Sequence, residues 1–122
     1  MPIASPAAFA MPGGESAGPS EARPIDLAHL SRQTMGDREL EREVLQLFVR
    51  QAASARTRLA EATAGERVLI AHSLNGSARG VGAFAIADCA GKLEESPDDI
   101  DMMARLGRLI DEASNFVATI SR

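Results

Sequence analysis

Ile70-Ala71-His72-Ser73-Leu74-Asn75-Gly76-Ser77-Ala78-Arg79-Gly80-Val81-Gly82-Ala83 carries an apolar helical stripe and, opposite it, a lone histidine among small residues. Take His72 as the zero direction of a helix turning ~100° per residue. Ile70, Leu74, Ala78 and Val81 then fall within ~80° of the opposite direction. That row is a face that meets a core. Asn75, Gly76 and Arg79 fall within ~60° of His72, as neighbours three, four and seven residues apart do. The spacing predicts a helix clamped along its back, with the histidine facing water. Gly76 stands one turn beyond it. A mid-helix glycine costs about 1 kcal/mol relative to alanine. Clearance is the reason its position suggests, because without a Cβ a partner's backbone can approach the imidazole. Val68 and Leu69 flank the same direction one turn earlier and offer a small apolar docking surface.

Working outward, the same periodicity predicts further helices. Asp26 is a plausible N-cap for a short helix through about Gln33, and Met35-Gly36-Asp37 ends it, with Asp37 capping the next. That second helix should run from Arg38 to about Ala62, with Leu40, Val44, Leu47, Phe48, Ala52, Ala55 and Leu59 as its buried face. Its charged residues, Arg50, Arg56 and Arg58 among them, read as a solvated surface. Thr63-Ala64-Gly65 reads as a turn, and the histidine helix as about Glu66 to Arg79, broken at Gly80-Val81-Gly82. A fourth helix follows from about Ala83 to Glu95, with Ala83, Ile86, Ala87, Ala90 and Leu93 inward. Ser96 is expected to cap the last helix, with Pro97 in its first turn. That helix should reach about Ile120 on a stripe of Ile100, Met103, Leu106, Leu109, Ile110, Ala113, Phe116, Val117 and Ile120. Four long amphipathic helices joined by short turns predict an all-α fold, an antiparallel four-helix bundle with a short extra N-terminal helix.

Residues 1–24 hold five of the six prolines and many small residues, and are expected to be a disordered tail. Residues 25–122 would be the helical domain, a length that supports one modest core. Hydrophobic residues make up 45% of the chain but aromatics only 3%, which suits close-packed helices and disfavours sheets. A net charge of -4 and the lack of Trp and Tyr argue against nucleic-acid binding. No apolar run approaches the ~20 residues of a membrane span, and no signal-peptide pattern opens the chain. Cys89, the single cysteine, suits a reducing cytoplasm and a buried position on a helix.

Between Ala71 and Glu94 the chain resembles the histidine phosphotransfer (HPt) domains of two-component phosphorelays. Their signature reads roughly Ala-His-x-Leu-Lys-Gly-Ser-x-x-x-x-Gly, followed about a helix later by a Leu-Glu pair. Ala71, His72, Leu74, Gly76, Ser77 and Gly82 match, and Leu93-Glu94 stand where the pair is expected. The opening from Ile25-Asp26-Leu27 through Gly36-Asp37 to Leu47-Phe48 is similar to the start of such a domain, so the likeness covers about residues 25 to 121. A pattern spread along two helices is more specific than a bare His-x-x-x-Gly.

The resemblance implies that His72 accepts a phosphoryl group from one receiver-domain aspartate and passes it to another. One ring nitrogen attacks phosphorus, and the other keeps its proton and needs an acceptor, for which Glu94 is the candidate. An imidazole is mostly neutral at cytoplasmic pH, as the attack requires. Docking would use Val68, Leu69 and Gly76, with Leu27 and Leu30 joining by resemblance or else packing in the core. The partners would be response-regulator receivers and a hybrid histidine kinase, the receiver supplying the acidic pocket and Mg²⁺. The chain itself would be a monomeric carrier without cofactor, metal site or catalytic centre of its own. One departure stands out: the family usually has lysine where this chain has Asn75, which offers amide donors but no charge. Arg79, one turn further on the same face, would supply that charge.

Other readings stay open at this level. His72 could be an ordinary surface histidine, and Glu94 a solvated end-of-helix carboxylate. Asn75 keeps in view a non-phosphorylated docking module that binds and modulates receivers or kinases. A metal-containing bundle fits poorly, because it needs inward Glu and His residues and the inward positions are aliphatic. His29 has no accompanying motif and reads as a surface or packing residue.

Overall fold

A computed structural model describes residues 23–121. They form five helices: α1 (Leu27–Gln33), α2 (Arg38–Glu61), α3 (Ala64–Val81), α4 (Phe84–Glu95) and α5 (Ile100–Ile120). No strand occurs among the described residues. The expected 1–24 tail lies outside them apart from Arg23 and Pro24.

Local chemistry fixes the starts. The carboxylates of Asp26, Asp37 and Asp99 accept from the backbone N–H groups of His29, Leu40 and Met102. Each satisfies a donor that the first turn leaves without a partner. Thr63 and Glu66 form a capping box, the Thr63 hydroxyl accepting from Glu66 N and the Glu66 carboxylate accepting from Thr63 N. Ala64 and Gly65, expected in a turn, are therefore the first turn of α3. At its other end α3 runs past Gly80 to Val81. Gly82, at φ 87°, is the left-handed cap. The break expected at Gly80 falls two residues later because only Gly82 takes the positive φ. The expected Ser96 cap of α5 is also displaced. Ser96 closes α4, and Asp99 caps α5.

Each long helix packs on the next, α2 on α3, α3 on α4 and α4 on α5, and α5 returns to α2. Phe48, Ile86, Leu93 and Leu106 are fully buried at the centre. On α2 the inward row is Leu45, Phe48, Ala52, Ala55 and Leu59. Leu40 and Leu47, expected on that row, are exposed. Leu47 lies about 100° round from Phe48, whereas Leu45 is three residues from it and falls in line. Ile100 and Ile120, expected on the α5 stripe, sit at the two ends of that helix and are exposed.

The α3–α4 contact is the most extensive. Small buried residues stand on both helices, Ala71 and Ala78 on α3 and Ala87 and Ala90 on α4, with Ala83 at the α4 N-cap. Small side chains let two helix axes come close. The start of α1 is tied to the far end of α3, where Asp26 N donates to Gly82 O at 2.9 Å. Arg67 secures the near end. Its guanidinium donates to the carbonyls of Leu59 and Pro97 and pairs with Asp98, joining α2, α3 and the α4–α5 turn.

Candidate functional site

The close approach of α3 and α4 decides what surrounds His72. Ala71, the residue before it, is buried, and the imidazole stands 79% exposed. Nδ1 lies 2.9 Å from Oε1 of Glu94, whose side chain is 22% exposed. An ionised carboxylate only accepts hydrogen bonds, so Nδ1 carries the proton. In the neutral ring the lone pair is then on Nε2. This is the arrangement a nitrogen nucleophile needs, with one ring nitrogen held and the other free.

Two further contacts continue along the same groove. The Asn75 amide crosses to Gly91 so closely that a Cβ there would lie 3.3 Å from Nδ2. Arg79 donates through Nε to Asn75 Oδ1 at 3.0 Å and through a terminal nitrogen to Asp88 Oδ1 at 3.2 Å. His72 with Glu94, Asn75 with Gly91 and Arg79 with Asp88 thus form three rungs. The numbers rise on α3 as they fall on α4, so these helices run antiparallel. Sequence reasoning named His72, Asn75, Arg79 and Glu94 and missed Asp88 and Gly91. The spacing along α4 alone carried no signal for them, because their place opposite Asn75 and Arg79 depends on how α3 and α4 are registered.

Gly76 is exposed, and a Cβ on it would meet nothing within 4 Å. No neighbour among the described residues demands a glycine there. A family model for the Hpt domain matches residues 43–116, from within α2 to within α5. The chain belongs to the Hpt domain family. No match was found among curated proteins or among solved structures.

Hpt domains take part in two-component phosphorelays, where they interact with receiver domains. The matched stretch of this Hpt domain contains all three rungs and the exposed imidazole. Leu69 is 71% exposed beside His72, and Val68 is half-buried. Leu27 is half-buried and Leu30 is fully buried in the core. Leu30 therefore offers no docking surface, because its place on α1 faces inward onto the main helices. His29 packs edge-on against Phe84, ring centroids 5.1 Å apart, in keeping with a packing residue. Cys89 is buried on α4, and burial pushes its thiol above the ordinary value of 9.0, with Arg105, Lys92 and Arg108 pulling weakly the other way. No helix of the described residues is long and apolar enough to cross a membrane.

Proposed function

We propose that this Hpt domain is a phosphoryl carrier that accepts on His72 Nε2 from one receiver aspartate and donates to another. The observation that carries the reading is the 2.9 Å contact of Nδ1 with Glu94 beneath a 79% exposed ring. In the forward step the Nε2 lone pair attacks phosphorus of the aspartyl phosphate. The N–P bond forms as the P–O bond to aspartate breaks, and the aspartate leaves as carboxylate. The ring gains positive charge in this step, and the Glu94 carboxylate, already bonded to Nδ1–H, offsets it. The reverse step returns the group to a second receiver.

In this reading Arg79 supplies positive charge near the phosphoryl group in place of the lysine that Asn75 replaces. Leu69, Val68 and the bare Gly76 form the docking face, with Leu27 at its margin. The closed ring of helix contacts is read as an antiparallel four-helix bundle, with α1 laid across one end. The chain acts as a monomeric cytoplasmic carrier between the receiver of a hybrid histidine kinase and a response regulator. It has no catalytic centre of its own, since the receiver brings Mg²⁺ and the acidic pocket.

The test is phosphoryl transfer from receiver domains of the source organism, phosphorylated with acetyl phosphate and Mg²⁺. Acid-labile, base-stable label should move to the wild-type chain and not to His72→Ala. Binding of receivers without any label would support instead a docking module, the reading that Asn75 keeps open.

A further inference from the structure

On the flank of α3 away from Glu94, a groove runs between α2 and α3. Arg50, Gln51, Ser54 and Arg58 line it from α2, and Ser73 and Ser77 from α3. Ser73 follows His72 directly, about 100° round the helix, while Ile70 and Leu74, on the face opposite the histidine, also line the groove, so it lies round α3 from the imidazole and not against it. Among the described residues no carboxylate lines it. Neither Arg50 nor Arg58 enters an ion pair among the described residues. The opposite flank differs, since there Glu94 holds the histidine and Asp88 meets Arg79. Charge on the α4 side is thus paired within the chain, whereas Arg50 and Arg58 form no ion pair among the described residues.

The basic stretch is bounded. Arg58 is shared with the next depression, towards the start of α3, where Glu61 and Glu66 lie beside Leu69. From Arg50 to Arg58 is eight residues of α2, about 12 Å. In a chain of net charge -4, this short run is a local feature and not part of a general basic surface.

We infer that the receiver partner crosses His72 from the α2 side and seats an acidic segment between Arg50 and Arg58. The inference rests on the carrier reading above and adds the direction of docking and the chemistry that selects the partner. Guanidinium groups match carboxylates in shape and hold them by paired N–H donors. The Ser54, Ser73 and Ser77 hydroxyls offer neutral donors to the same occupant. Because both arginines are exposed, their effect falls chiefly on the rate of encounter and on partner choice.

The experiment uses the full chain and two labelling reactions, one with phosphoramidate as a small donor and one with the acetyl-phosphate-charged receivers. Arg50→Glu/Arg58→Glu is compared with Arg105→Glu/Arg108→Glu, an equal change of charge on α5, which packs on α2 and α4 but not on α3. The ratio of receiver-donated to phosphoramidate-donated label should fall about tenfold or more at low salt in the groove variant. That fall should shrink as salt is raised, and the α5 variant should keep the wild-type ratio. Equal ratios in both variants, whether unchanged or equally lowered, would overturn a local groove. Failure of every receiver to label the wild-type chain would overturn the carrier reading itself, and it is seen before any substitution is made. Circular dichroism of both variants separates a lost fold from a lost encounter, and the single variants Arg50→Gln and Arg58→Gln repeat the test without charge reversal.

Discussion

Nδ1 of His72 and Oε1 of Glu94 face each other at 2.9 Å across the α3–α4 groove, 22 residues apart in sequence. The pair meets because alanines at 71, 78, 87 and 90 draw the two helices together. Glu94 fixes which nitrogen carries the proton, and so which one is free to attack. Hydrogen bonds to charged groups contribute about 1.5–3 kcal/mol, and exposure of the ring places this one at the lower end. Glu94→Gln should therefore slow phosphoramidate labelling of His72 by roughly tenfold. Glu94→Ala should slow it at least as much, with thermal stability nearly unchanged. Labelling at the wild-type rate in both would remove Glu94 from the mechanism.

Gly76 separates stability from docking. It is helical, exposed and free of contacts, so Gly76→Ala should stabilise the fold by about 0.5–1 kcal/mol. That raises the melting temperature of a domain this size by a few degrees. Receiver-donated labelling should slow in the same variant, because the new methyl group stands in the partner's path. Calorimetry and transfer rates on one sample would show the two effects with opposite sign. A faster or unchanged transfer would show that the glycine is not there for clearance.

The helical fold was legible because apolar rows, aspartate caps and the resemblance to HPt domains all agreed. The errors have local physical causes. Gly80 and Gly82 look alike as letters, but only Gly82 is pressed against Asp26 O and turned to positive φ. Leu45 and Leu47 both lie within three residues of Phe48, but only Leu45, one helical step back, falls in line with it. His72 and Gly76 could be read from one helix. Asp88 and Gly91 could not, because their role depends on the register between α3 and α4. The Gly82–Ala83 link and the alanine contacts set that register, and periodicity within one helix does not reveal it. The groove arginines, read as solvated surface, are exposed as expected; that Ser73 and Ser77 line the same groove could not be read, because those residues belong to another helix.

Gly82 is the position where any side chain is costly. Its φ of 87° disfavours L-residues, and a Cβ would sit 2.8 Å from the carbonyl oxygen of Asp26. Relief would require breaking the Asp26 N to Gly82 O hydrogen bond that docks α1. Gly82→Ala should cost about 1–3 kcal/mol, seen as a lower urea midpoint. Gly80→Ala, two residues away in open space, should not destabilise the fold. Equal midpoints for both variants would contradict the assigned cap.

Cys89 gives a pH dependence whose sign follows from burial. Its thiol is raised above 9.0 in the folded chain, so the unfolded chain loses that proton first as pH rises. The stability it contributes is complete below pH 9.0 and is lost as pH climbs through the higher folded value. Cys89→Ala should flatten the alkaline limb of a urea-midpoint profile and leave the neutral region parallel to wild type. In the native chain at pH 7 the thiol should react slowly with a disulfide reagent, and at the unfolding rate once denaturant is added. An alkaline limb that survives the substitution would place its origin elsewhere.

Arg79 tests whether the ladder serves chemistry or stability. Its bond to Asp88 joins two exposed side chains, and such pairs contribute about 0–1 kcal/mol. Arg79→Gln and Asp88→Asn should each leave the melting temperature within a few degrees of wild type. On the carrier reading their effects on phosphorylation diverge. Loss of Arg79 removes the cation nearest the phosphoryl group on that face, so labelling slows and the phosphorylated form hydrolyses at a changed rate. Loss of the Asp88 charge releases the guanidinium from its carboxylate partner and leaves it held by Asn75 alone, so labelling should hold steady or quicken. Asn75→Lys restores the residue usual in the family and should recover labelling in the Arg79→Gln background. If both single variants label at the wild-type rate, the ladder is only a surface ion pair beside the site. If Asp88→Asn slows labelling as much as Arg79→Gln does, the carboxylate acts by holding the arginine in place, and the rung is a positioning device.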